Sequence, residues 1–262
     1  MIKLLKYDWI KNANIFTAGL IILVLAQLAL AAVGWKNGWN TESVFAGATG
    51  LYAVGALLVF LMACQTFNDN LKAYSRRLLP LPTLYTIATP IILLFAGQLV
   101  IGVLFIFHDW IALPVNVDGE MYSFTKIVFD KVTTLGTVSF IIAYLWVTFT
   151  ITIIIFFSIA FSRTIDGKAG VFFGILVCAA LFIFIPWMER LFIPNSPSSA
   201  EKTGFISFDV FEPGEIEGSD MLASPQIFTF DWLDIKVALF EIAIVSLLVY
   251  CIVYMINKKM KL

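Results

Sequence analysis

The stretch Leu135 to Phe161, L-G-T-V-S-F-I-I-A-Y-L-W-V-T-F-T-I-T-I-I-I-F-F-S-I-A-F, contains no Asp, Glu, Lys, Arg or His. A helix crosses the roughly 30 Å hydrocarbon core of a bilayer with about 20 apolar residues at about 1.5 Å each. This run is long enough to span, and nothing in it requires water. Five further runs have the same character: Ile15 to Trp35, Ser43 to Phe67, Pro82 to Phe107, Ala169 to Trp187, and Val237 to Ile256. A closed barrel would also satisfy the backbone in lipid, but it needs short alternating strands with a polar lumen face, and these runs are apolar all round. The composition agrees: 60% of the chain is hydrophobic and 13% charged, against about half and about a quarter in soluble domains. The expected fold is an all-α integral membrane protein with six transmembrane helices, a single transmembrane domain over residues 1-262 with no soluble domain left over.

Lys and Arg near span ends resist translocation and so set orientation. With the N-terminus inside, Lys3, Lys6, Lys11, Lys72, Arg76, Arg77, Arg163, Lys168, Lys258, Lys259 and Lys261 are cytoplasmic, eleven of the 17 basic residues. Only Asp8, Asp69 and Asp166 of the 18 acidic residues join them. Both termini are therefore expected in the cytoplasm. Ahead of the first span, Met1 to Asn14 places Ile2, Leu5 and Trp9 on one face and Lys3 and Lys6 away from it, the pattern of an amphipathic interfacial helix. The segment 188-236 is the longest polar stretch and carries Glu189, Glu201, Asp209, Glu212, Glu215, Glu217, Asp220, Asp231 and Asp234, interleaved with Phe205, Phe208, Phe211, Phe228, Phe230 and Trp232. It is expected as a large extracellular loop between helices five and six, packed as a cap on the outer mouth or in the headgroup layer.

Little catalytic chemistry is present. Cys64, Cys178 and Cys251 fall inside apolar runs with no C-x-x-C spacing, so neither a disulfide nor a metal site is expected. His108, the single histidine, stands beside Asp109 and Trp110 without a zinc-binding spacing, and reads as an interfacial, solvated residue. There is no G-x-S-x-G elbow and no pair of intramembrane carboxylates. The chain is not expected to be an enzyme. The span interiors offer uncharged polar residues, of which Gln27, Gln65, Gln98, Thr148 and Thr152 are candidates for a transport path, with interhelical hydrogen bonding as the commoner use of such groups. Glu241 lies about one turn into the sixth span, where its carboxylate is expected to reach the outer interface by snorkelling.

A candidate docking element lies between spans two and three, where Asn68 to Pro82 reads N-D-N-L-K-A-Y-S-R-R-L-L-P-L-P. Leu71, Tyr74 and Leu78 recur at helical spacing, Lys72, Arg76 and Arg77 occupy other positions, and Leu79 and Pro80 lead into a Pro-terminated end. A loop that only enforces topology would explain the charges but not the Leu-Leu-Pro-Leu-Pro ending. With this element, the basic stretch Lys3 to Lys11, the six spans and the loop before span six, the chain resembles the permease subunits of type-2 ATP-binding-cassette (ABC) exporters, particularly small bacterial ones.

That resemblance implies a coupling helix formed by Leu71, Lys72, Tyr74, Arg76, Arg77, Leu78, Leu79 and Pro80 that docks on a cytoplasmic ABC ATPase subunit. It implies a second copy of the permease in a two-plus-two assembly in the bacterial plasma membrane. No phosphate loop G-x-x-x-x-G-K-[ST] is present, since Gly167-Lys168 lacks the earlier glycine and is followed by Ala169. ATP and Mg are expected on the partner ATPase, with no cofactor on this chain and no nucleic acid as partner. The expected function is export of amphipathic or hydrophobic cargo, such as an antimicrobial or cytolytic peptide, a lipid or a drug. An ion-coupled secondary transporter and a non-transporting membrane immunity or scaffold protein are the alternatives.

Overall fold

The computed structural model describes residues 2–72, 82–112, 115–117, 120–122, 134–165, 167–192, 202–203, 206–210, 228–233 and 235–258. Six helices dominate it: α1 (Ile2–Asn37), α2 (Thr41–Lys72), α3 (Leu84–Ala112), α4 (Thr134–Ser162), α5 (Lys168–Phe192) and α6 (Ile235–Lys258). All six are long and apolar enough to cross a membrane, and the chain is built as a multi-pass membrane protein. Their surfaces are apolar outward: Ile22 and Leu28 on α1 and Phe172 and Ile183 on α5 are all more than 60% exposed. Such faces suit lipid tails as solvent, where no hydrophobic penalty attaches to an exposed leucine.

The chain divides into two compact units, residues 1–127 and 128–262. In the first, α1, α2 and α3 pack around Leu23, Tyr52, Val59, Ala63, Leu94 and Ile101, with Phe16, Leu20 and Phe105 against them. Gly97 allows the close approach of α3 to α2, because a Cβ there would lie 2.6 Å from Val59 Cγ1. The turn between α1 and α2 uses Gly38 at φ 65°, a left-handed conformation that glycine adopts without a Cβ clash. Asn40 then caps α2, its side-chain oxygen accepting a hydrogen bond from the Ser43 amide at 3.1 Å.

In the second unit α4 is the spine. Helix α5 lies on it through Gly170 and Gly174, where added Cβ atoms would strike the carbonyl oxygens of Ser162 and Ile165 and, at 2.7 Å, the Ser162 Cβ. Small residues at this spacing let membrane helix backbones approach closely. Helix α6 packs along α4 and buries Val237, Val245, Leu248, Ile252 and Met255, one stripe of its surface.

Several expectations shift. No separate interfacial helix precedes the first span: α1 is continuous from Ile2 to Asn37, since Asn12-Ala13-Asn14 contains neither glycine nor proline to break it. Residues 68–72 of the expected docking element belong to α2, and the remainder, 73–81, lies outside the described residues. Helix α5 continues past Pro186 to Phe192, so the connection to α6 begins later than Met188. Finally, the connections between α3 and α4 and between α5 and α6 carry short strands. β1 (Val115–Val117) pairs antiparallel with β2 (Glu120–Tyr122), and β3 (Lys202–Thr203), β4 (Ile206–Val210) and β5 (Phe228–Leu233) form a three-stranded antiparallel sheet with Phe208 opposite Phe230. Strands β3 and β5 approach α4.

Candidate functional site

Helix α1 has 36 residues and α2 has 32, about 54 Å and 48 Å at the helical rise. Both exceed a hydrocarbon core of about 30 Å. Trp35 and Trp39 mark one boundary in the manner of interfacial aromatics, with Trp35 90% exposed. Twenty residues back from Trp35 lies Ile15, so the first turns of α1 and the last turns of α2 extend beyond the core together. They are held to each other by polar contacts.

Asp8 is fully buried, and Asn12, Thr66 and Asn70 are nearly so. Asn70 Nδ2 donates to Asp8 Oδ2 at 3.3 Å. Asn12 Nδ2 donates both to Thr66 Oγ1 at 3.1 Å and to the Asp8 carbonyl at 2.8 Å, while Thr66 Oγ1 donates to the Met62 carbonyl at 2.8 Å. On the rim, Lys11 Nζ meets Asp69 Oδ2 at 2.7 Å with both side chains partly exposed. The set is a clasp of two antiparallel i, i+4 pairs, Asp8/Asn12 on α1 and Thr66/Asn70 on α2, which share one helix face each. Leu71, also buried, and exposed Lys72 follow directly. Of the expected coupling-helix residues, these two end α2; Tyr74, Arg76, Arg77, Leu78, Leu79 and Pro80 lie outside the described residues. On the far side of that connector, the Pro82 and Thr83 carbonyls accept from the Tyr85 and Thr86 amides at 3.0 Å, starting α3.

The candidate path residues are not gathered into one site. Gln27 donates to the Ala48 carbonyl at 3.0 Å, which makes it a tie between α1 and α2. Gln65, exposed, stands seventeen residues farther along α2, about 25 Å away. Gln98 lies on α3 next to Gly97, at the level of Val59 and between the other two. Oxygen atoms of Gln27 and Gln98 are buried without a hydrogen-bond partner. In the second unit, Thr152 Oγ1 donates to the Thr148 carbonyl at 2.6 Å, a bond within one turn of α4 that occupies the Thr152 hydroxyl in its own helix.

Two other placements differ from the sequence reading. Glu241 has a protein partner: its Oε2 accepts a hydrogen bond from Trp146 Nε1 at 2.5 Å, which joins α6 to α4 within the spans. The Trp146 ring also lies 6.0 Å from Phe149. An acidic residue inside an apolar run is itself the signal that could have pointed here, because such groups are costly in lipid and take a partner. His108 is not simply solvated either. Helix α3 runs on to Ala112, Tyr52 lies over the imidazole at 5.8 Å between centroids, and Nδ1 is shielded from solvent without a hydrogen bond. Asp109 beside it is fully buried. Among the described residues no three His, Cys, Asp or Glu side chains are grouped to hold a metal. No protein-family model matches the sequence, and no curated protein or solved structure matches it.

Proposed function

We propose that this chain is the permease subunit of an ATP-driven exporter of the type-2 ABC kind, in a bacterial plasma membrane with both termini cytoplasmic. The observation that carries the reading is the braced end of α1 and α2. Two helices project past the hydrocarbon core and are tied by buried polar bonds, and α2 leads straight into the basic, Leu-Pro connector at 73–82. A force applied to that connector acts on α2 at Lys72, and the clasp passes it to α1 because Asn70 and Thr66 are bonded to Asp8 and Asn12. A loop hanging from unbraced helix ends would dissipate the same force as local bending.

In this reading an ABC ATPase docks on Lys72, Tyr74, Arg76, Arg77, Leu78, Leu79 and Pro80, binds ATP and Mg, and performs the hydrolysis. Closure of two ATPases switches two permease copies between inward and outward access, and amphipathic or hydrophobic cargo leaves through their interface. The test is affinity purification from native membranes. An ATPase subunit that co-elutes with the chain and is lost on Arg76→Glu/Arg77→Glu supports the proposal. A chain that elutes alone in both forms and alters no ATP hydrolysis removes it.

The Trp146–Glu241 pair favours a second reading, an ion-coupled secondary transporter, since intramembrane carboxylates commonly carry protons or cations. That reading requires Glu241→Gln to abolish gradient-driven transport; the exporter reading requires transport to follow ATP instead.

A further inference from the structure

We infer that the face between α1 and α2 holds one acyl chain of an anionic phospholipid, in a groove next to the basic end of the first unit. The inference does not depend on the permease reading. The groove has a volume of about 270 Å³ and is lined by Gly19 and Leu23 of α1 and by Gly55, Leu58, Met62 and Gln65 of α2, among others. Among the described residues its only polar side chain is Gln65, at one end. Gly19 makes the floor: a Cβ added there would meet nothing within 4 Å. The flanking Ile15 and Leu58 are 63% and 56% exposed, so the groove is open sideways to lipid.

Length and charge select the occupant. From Gln65 to Gly55 is ten residues, about 15 Å of helix, which is half of a hydrocarbon core of about 30 Å. One leaflet's acyl chain fits that span, whereas a helix from a partner would continue along the whole face. One turn beyond Ile15 and Gln65, where a headgroup would sit, stand Lys11 and Asp69, bonded to each other. Lys6 and Lys72 are exposed at the same end, and Asp8 is turned inward to Asn70. The headgroup zone is therefore net positive, which attracts anionic lipid.

The probe is phosphatidylglycerol, offered with phosphatidylcholine in equal amounts to the purified chain, with retained lipid counted by native mass spectrometry after detergent washing. The wild type is expected to keep one phosphatidylglycerol. Gly19→Leu places a side chain in the groove, its Cβ meeting nothing within 4 Å, and is expected to lower that retention at least about 10-fold, by the relation of about 1.4 kcal/mol per decade. Gly102→Leu, equally unobstructed but on α3, is expected to leave it unchanged. Lys6→Glu/Lys72→Glu alters only exposed residues and is expected to abolish the preference for phosphatidylglycerol, whether or not Gly19→Leu folds. Retention unchanged in Gly19→Leu, preference unchanged in the double variant, or a dimer that Gly19→Leu converts to monomer would each overturn the inference, the last by giving the groove to a second copy.

Discussion

Asn70→Ala should cost the protein more stability than Lys11→Ala, although the Lys11–Asp69 contact at 2.7 Å is much shorter than the Asn70–Asp8 contact at 3.3 Å. The reason is solvent. Lys11 and Asp69 are 42% and 33% exposed, and an exposed ion pair contributes about 0.2–1 kcal/mol because water competes and two long side chains must be immobilised. Asp8 is fully buried, so the hydrogen bond from Asn70 is shielded from water, which cannot readily replace it once the donor is removed. Hydrogen bonds to charged groups contribute about 1.5–3 kcal/mol; the 3.3 Å separation lies just beyond the usual range, which places the expected loss at about 1.5 kcal/mol. The measurement is reversible unfolding of the purified chain in mixed micelles with increasing sodium dodecyl sulfate, followed by helical circular dichroism. A double-mutant cycle with Asp8→Ala isolates the pair from the lost side-chain packing. The reasoning is refuted if Lys11→Ala is the more damaging variant, or if the cycle shows a coupling below about 0.5 kcal/mol, the usual error of additivity.

Other sites give independent tests. Gly170→Ala drives a methyl into the Ser162 and Ile165 carbonyls and is expected to destabilise the second unit by about 1–3 kcal/mol as overpacking does, whereas Gly102→Ala, in open space, should be neutral or slightly stabilising; melting of the two variants in detergent separates them. Trp146→Phe keeps the ring but removes the donor to Glu241, with an expected loss of about 0.6–1.7 kcal/mol, the range of hydrogen bonds between membrane helices. Glu241→Gln keeps an acceptor and should lose less than Glu241→Leu in the same unfolding titration.

The six spans were legible because each is a long uninterrupted apolar run, and length against bilayer thickness decides the matter without side-chain detail. The ends were less so. Hydropathy stops at Ile15 and Phe67, but α1 and α2 extend through Asp8 and Asn12 on one side and Asn70 on the other, because each of these polar groups finds a partner on the other helix, Thr66 included. A single-helix reading takes those residues for solvated flank; only the pairing of two i, i+4 stripes makes them interior. The fifth apolar run likewise stops at Trp187, yet the helix continues to Phe192. Gln27, Gln65 and Gln98 are alike in sequence but sit at three levels of the first unit, and depth along a helix is lost when residues are grouped by type. Glu241 was visible as an anomaly, and its indole partner lies 95 positions away. The strands before α6 were hidden by interleaved acidic and aromatic residues that read as loop.

Site-directed photocrosslinking at the connector tests the proposed function most directly. A photoreactive phenylalanine analogue at position 74, in place of Tyr74, is irradiated in native membranes, with the same analogue at Trp35 near the opposite ends of α1 and α2 as the control. The account predicts an adduct with an ABC ATPase subunit from position 74, none from position 35, and loss of the adduct on Arg76→Glu/Arg77→Glu. Lipid adducts alone at position 74, or the same protein adducts from both positions, would contradict it.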